Sequence, residues 1–203
     1  MKSKFITFEG SEGCGKSTQS KLLAGFLKRK GYDVVYIREP GGTKISEKIR
    51  QILLDAKNDA MASSSEMLLY MAARAQIIAE VIKPALLQGK IVIGDRFLDS
   101  TLAYQGFGLG MDIDFIKTVG NFVTAGIKPD LTIFLDLPVH KGLKHRELTK
   151  DRIEQRSFNY HLRVRNGYLK LASQEPQRIK IVKLEKEISL TQEKIRALVS
   201  ALI

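Results

Sequence analysis

Residues 10–18, Gly-Ser-Glu-Gly-Cys-Gly-Lys-Ser-Thr, place three glycines just ahead of a lysine and two hydroxyls. Gly10, Gly15, Lys16 and Ser17 fit G-x-x-x-x-G-K-[ST], a spacing suited to holding a phosphate chain. The glycines let the backbone take positive φ and turn successive N–H groups inward, while a following helix N-terminus adds partial positive charge. Lys16 is then placed to reach the β- and γ-phosphates, and the Ser17 hydroxyl to ligate Mg²⁺. The motif implies a nucleoside triphosphate and leaves open what is done with it.

Further charged residues follow two apolar runs. Arg38-Glu39-Pro40-Gly41-Gly42 ends one, and Gly94-Asp95-Arg96-Phe97 ends another. In an open parallel sheet the C-terminal ends of the strands line the ligand crevice, so Arg38, Asp95 and Arg96 are expected to converge near the phosphate loop. Two arginines beside a triphosphate imply a second anion. A carboxylate there can hold Mg²⁺, its water shell or an arginine. Asp136 also follows an apolar run and stands as an alternative metal-shell carboxylate, although the adjacent Arg96 favours Asp95.

These residues need a scaffold, and the apolar pattern describes one. Runs at 5–8, 34–37, 91–93, 131–135 and 179–182 alternate with stretches of helical spacing. A repeated β-α pattern predicts an α/β fold in three layers: a five-stranded parallel sheet flanked by helices, as one domain over 1–203. The glycine loop falls in a strand-to-helix turn, because residues 17–30 carry Leu22, Leu23, Phe26 and Leu27 at helical spacing. Another helix is expected from Ser63, with Glu66 completing a capping box, and Pro84 kinking it or marking its last turns. Tyr70 and Arg74, four apart, share a face of that helix. Ser189 and Gln192 suggest a capping box for the final helix.

Composition limits the partners. A net charge of +11 over 203 residues suits acidic ligands, yet no nucleic-acid motif or aromatic stacking platform accompanies it. No run approaches the ~20 apolar residues of a membrane span, and no signal-peptide pattern is present, so a cytoplasmic location is the expectation. The single cysteine, Cys14, allows neither a disulfide framework nor a cysteine metal cluster. His140, His145 and His161 lie in a basic stretch and are expected on a solvated face.

Five stretches, FEGSEGCGKST, REPGGT, DRFLDSTLAYQG, PDLTIFLDLP and DRIEQRS, occur in an order that resembles the thymidylate kinases, a family of P-loop nucleoside monophosphate kinases, across nearly the whole chain. The glycine loop is shared by many NTPases; REPGG followed by DR and AYQG is far more specific. The resemblance implies transfer of the γ-phosphoryl of ATP to dTMP, giving dTDP, with Mg²⁺, in a homodimer. It implies that Gly10, Ser11, Glu12, Gly13, Cys14, Gly15, Lys16, Ser17 and Thr18 bind ATP, with Ser17 and Asp95 at the metal. Arg38 and Arg50 match residues that bind the dTMP phosphate, and Arg96 one that bridges acceptor and donor phosphates. Glu12 matches a carboxylate that meets the sugar 3′-hydroxyl or the metal shell. Tyr70 matches a ring stacked on the base and Arg74 a donor to its edge, while Tyr104 and Gln105 fall near the deoxyribose and the thymine edge. On spacing alone, Arg50 and Glu12 read as surface charges and Tyr70 as a core side chain.

The resemblance also implies a cis Glu39-Pro40 bond and a small basic lid at about 141–156. Because the glycine loop has no arginine, the chain resembles members whose lid supplies one, with Arg146, Lys150 and Arg152 as candidates and Arg152 slightly preferred. Rival readings are a kinase for dUMP, dCMP or a nucleoside, a P-loop switch or motor, and a nucleic-acid-binding protein. The chain has no N-K-x-D guanine motif to favour the switch, and the last rests on charge alone.

Overall fold

The computed structural model describes residues 3–145 and 151–203. Each expected apolar run forms a strand: β1 (Lys4–Glu9), β2 (Val34–Arg38), β3 (Ile91–Asp95), β4 (Leu131–Asp136) and β5 (Ile179–Lys183). All neighbours pair in parallel, in the order β2-β3-β1-β4-β5. The three central strands are buried nearly end to end, as a parallel sheet covered on both faces requires.

Successive strand residues serve opposite faces. Ile6, Phe8, Ile93 and Ile133 pack under α1 (Lys16–Arg29) and α9 (Ile188–Ser200), where Leu23, Leu27, Ile195 and Val199 complete one core. Phe134, next in line to Ile133, faces the other way onto Met67 and Met71 of α3 (Ser63–Ile77) and Tyr160, Val164 and Tyr168 of α8 (Phe158–Gln174). Each such buried side chain contributes roughly 1.5–3 kcal/mol. The result is the expected α/β arrangement of a parallel sheet between helical layers.

Register sets the site. Arg38 lies opposite Asp95, Asp95 opposite Phe8, and Glu9 opposite Phe134, so three strand ends open onto one edge of the sheet. Thr43 caps α2 (Lys44–Leu54) by accepting from the Ser46 N–H. The helix begun by α3 continues through a π-helical turn (Ile78–Ile82) into α4 (Lys83–Leu87), the ladder widening just before Pro84, which has no N–H to donate. A second π-helical turn (Leu102–Gly108) follows α5 (Leu98–Thr101) and carries Tyr104 and Gln105. After it come α6 (Ile113–Thr124) and α7 (Val139–Gly142).

Three expectations are corrected. Neither capping box forms: Ala62 precedes α3 and Glu187 precedes α9, both without a side-chain cap, and Glu66 and Gln192 are buried instead. His161 is also buried, at 1% exposure beside Tyr160 on α8, because its position falls on the same inward stripe as Val164 and Tyr168.

Candidate active site

The phosphate loop leaves β1 at Glu9 and enters α1 at Lys16, with Gly15 at φ 78° in the left-handed region. Gly13 packs backbone to backbone against Gly142, and a Cβ on either would collide with the other's loop. Lys16 is buried, and its Nζ donates to the Ser11 carbonyl at 2.8 Å. The Ser17 hydroxyl donates to Asp95 Oδ2 at 2.5 Å, bringing two hard oxygen ligands together at the loop's mouth. Such a pair fits Mg²⁺, which takes its remaining ligands from phosphate and water. Asp136 is held elsewhere, in a two-point ion pair with Arg165 at 2.7 and 3.0 Å.

Arg96, after β3, has φ 73°, an uncommon backbone for a residue with a side chain. Its N–H donates to the Phe8 carbonyl at 3.0 Å, and the following Phe97 N–H donates to Glu9 Oε1 at 2.7 Å. The guanidinium donates to Glu12 Oε1 at 2.6 Å, the Tyr104 hydroxyl at 3.1 Å, Ser100 Oγ at 3.1 Å and the Gly10 carbonyl at 3.2 Å. Burial works against the Glu12 charge, but Arg96 and Lys16 outweigh it and hold the carboxyl down at about 2. Glu9 differs: burial and then Asp99 push it up to about 7 against Arg96, Ser100 and Tyr168.

Beyond Arg96 lies a cleft of about 450 Å³ that reaches from the phosphate loop to α3. Arg38, at the end of β2, pairs with Glu47 at 2.9 Å, and Arg50 on α2 donates to the Pro40 carbonyl at 3.1 Å. Burial and then the neighbouring Arg38 lower the Arg50 pKa, so two guanidiniums stand close enough to repel. Glu39-Pro40 is cis. Tyr70, Tyr104 and Gln105 also line the cleft, with the Tyr104 hydroxyl donating to Glu12 of the phosphate loop at 2.7 Å.

Arg74 also lines the cleft, but its donors are engaged. Nε and Nη2 share Glu39 Oε2 at 2.8 Å, Nη2 reaches the Phe97 carbonyl at 3.0 Å, and Nη1 reaches Thr101 Oγ1 at 3.0 Å and Met71 Sδ at 3.5 Å. It braces the ends of β2 and β3 against α3, and only the weak sulfur contact is readily given up for a ligand. Arg152, unlike Arg74, is not among the residues lining the cleft. Its Nε donates to the Leu53 carbonyl at 3.0 Å and its Nη1 meets Glu66 at 2.6 Å, so here it anchors the segment after residue 150 to α2 and α3. Arg146 and Lys150 lie outside the described residues.

Sequence reading missed Glu9, Glu39, Glu66, Ser100 and Tyr168. Glu66 had a signal: it stands four before Tyr70 and eight before Arg74, on one stripe of α3. The Glu9 and Tyr168 pairing had none, since it joins residues 159 positions apart.

Comparison with known proteins points one way. A family model described as thymidylate kinase matches residues 8–195. A thymidylate kinase of Geotalea daltonii is 54% identical over 188 residues, covering 88% of this chain and 87% of that protein. One from Geotalea uraniireducens is 48% identical over 205 residues, covering 97% and 96% respectively. The crystal structure of a thymidylate kinase from Ehrlichia chaffeensis superposes with a TM-score of 0.82 at 34% identity, covering 98% of this chain and 100% of that one.

Proposed function

Because the chain belongs to the thymidylate kinase family, we propose that its cleft is where dTMP is phosphorylated to dTDP, with ATP held by Gly10 to Thr18 and Mg²⁺ by Ser17 and Asp95. The observation that carries this reading is the convergence of Arg38, Arg50 and Arg96 on the cleft beyond the phosphate loop, which makes a second anion site beside the first.

Phosphoryl transfer through a loose transition state asks little covalent chemistry of the protein, so positioning and electrostatics dominate. A dTMP phosphate oxygen is the nucleophile. Arg38 and Arg50 hold the acceptor phosphate, Arg96 lies between acceptor and donor, and Lys16 steadies the β- and γ-phosphates. When bound, Mg²⁺ neutralises charge on the donor phosphates. Arg96 begins in contact with Glu12 and Tyr104, so a ligand phosphate would exchange one anionic partner for another. Tyr70 would stack on the base, Gln105 would accept from its N3–H, and the Nη1 of Arg74 would turn from Met71 to the O4 oxygen. A lid cation, with Arg146 as our candidate now that Arg152 is tied to Glu66, would meet the moving phosphoryl.

A homodimer is part of the proposal. Leu68 on α3 and Phe115 and Phe122 on the adjoining α6 are 52%, 53% and 84% exposed, which supplies apolar surface for a second copy. No helix among the described residues is long and apolar enough to cross a membrane. The charged nucleotide substrates support a cytoplasmic location.

The test is an acceptor panel with ATP and Mg²⁺: dTMP, dUMP, dCMP, UMP, AMP and GMP. We expect dTMP first, dUMP second because uracil lacks only a methyl worth ~1–3 kcal/mol, and dCMP far behind. ADP formation that does not depend on dTMP would overturn the reading.

A further inference from the structure

Glu66 takes no part in the chemistry described above, yet it is fully buried on the α3 stripe that carries Tyr70 and Arg74. Its Oε1 accepts from Gln105 Nε2 at 2.8 Å, and its Oε2 meets Arg152 Nη1 and Arg156 Nη2, both at 2.6 Å. An ionised carboxylate only accepts hydrogen bonds, whereas a glutamine amide has one accepting and one donating end. Only the NH₂ of Gln105 can therefore face Glu66. The carbonyl is left as the end that Gln105, 2% exposed and lining the cleft, can offer to a ligand.

We propose that Glu66 is a positioning residue for base selection: by holding the Gln105 NH₂ it turns an acceptor toward the cleft, which favours a pyrimidine carrying hydrogen on N3. The proposal rests on the reading of the cleft as the dTMP site. Thymine and uracil carry N3–H, whereas cytosine presents a lone pair there and would set acceptor against acceptor. In a buried site that mismatch is costly, since neither group finds another partner. If residue 66 could both donate and accept, the Gln105 amide could turn over and offer NH₂ to cytosine. Arg152 and Arg156 keep the carboxylate in place from the stretch between residue 151 and α8.

The experiment compares kcat/KM for dTMP and dCMP, and their Kd by calorimetry without ATP, in the wild type, Glu66→Gln, Gln105→Leu, the double variant and Arg156→Gln. The wild type should prefer dTMP by roughly 10⁴-fold or more, and Glu66→Gln should narrow that ratio by about 10-fold or more, partly by improving dCMP. Adding Glu66→Gln to Gln105→Leu should narrow it no further, because Glu66 acts through the amide. Arg156→Gln loosens the same anchor without freeing the amide, so it should keep the ratio. A folded Glu66→Gln variant with the wild-type ratio, a double variant narrower than Gln105→Leu, or an Arg156→Gln variant as narrow as Glu66→Gln would each overturn the proposal. Should Glu66→Gln fail to fold, the wild type decides by NMR. The side-chain NH₂ signals of Gln105, assigned by their loss in Gln105→Leu, should stay protected from exchange when dTMP binds, and their exposure would overturn it. A wild type that accepts dCMP as readily as dTMP would overturn the dTMP-site reading itself, and the proposal with it.

Discussion

Glu9 and Tyr168 meet at 2.8 Å, carboxylate to phenol, across 159 positions of the chain. The contact ties the end of β1 to α8, and the other oxygen of Glu9 holds the Phe97 N–H at 2.7 Å. One buried carboxylate thus fixes the backbone immediately after Arg96, whose left-handed φ needs such support.

Tyr168→Phe removes one donor from Glu9 while leaving the aromatic packing on Phe134 in place. Looser placement of Arg96 should show in the transition state more than in binding, so kcat is expected to fall about 5-fold, the worth of one hydrogen bond, with KM for dTMP nearly unchanged. Steady-state kinetics showing an unchanged kcat would remove Tyr168 from this role.

Glu9 should also mark the pH dependence of stability. Its carboxyl rises from an ordinary 4.5 to about 7 on folding, so its contribution is complete below pH 4.5 and is lost as pH rises through 7. The loss is on the order of 3 kcal/mol at most. Glu12, lowered to about 2, acts in the opposite sense: its contribution is present above pH 4.5 and disappears as pH falls toward 2. Glu9→Gln should therefore flatten the decline in urea-unfolding free energy between pH 4.5 and 7, and parallel curves for the two proteins would contradict the assignment.

Lys16→Ala should lower turnover by at least ~100-fold with the fold intact, because a preorganised charge at the transferring group is lost. Circular dichroism and single-turnover kinetics together check this; a folded variant with retained turnover would exclude the phosphate-loop mechanism.

Arg74→Leu should damage the fold before it alters base choice. It strands Glu39, at 4% exposure, without its cation, a change that typically costs about 3–5 kcal/mol. Thermal unfolding should show a clear fall in Tm, and a variant of wild-type stability would mean that the Glu39 pairing is not what Arg74 is for.

For the proposed lid cation, Arg146→Ala is expected to reduce kcat more than dTMP binding, since a cation that meets the moving phosphoryl matters most in the transition state. Arg152→Ala should act through stability instead, as the partner of Glu66 and the Leu53 carbonyl. Equal and purely kinetic losses in both variants would reverse this division of roles.

What was legible in the sequence was local. The glycine loop, the strands and the residues at their ends follow from short-range patterns, because a parallel sheet sends each strand's C-terminal end to the same edge. Charge pairing across the fold was not legible. Glu66 looked like a helix cap because Ser63 stands three before it, and only the approach of Gln105, Arg152 and Arg156 draws it inward. Arg74 was expected at a base edge, but nothing in its spacing reveals that Glu39, Thr101 and Phe97 take up its donors. The basic residues around His161 mask the helical stripe that it shares with Val164 and Tyr168.

The backbone contact between Gly13 and Gly142 makes two distant positions one unit of heritable change. A side chain at 13 would strike the Gly142 carbonyl, and one at 142 would strike the Glu12 carbonyl, so neither position can enlarge first while its partner stays put. The phosphate loop and α7 are thus geared together by missing atoms. Relatives in which one glycine is replaced should carry a compensating displacement of the other segment, and the order in which such replacements can arise is restricted to paths that move both.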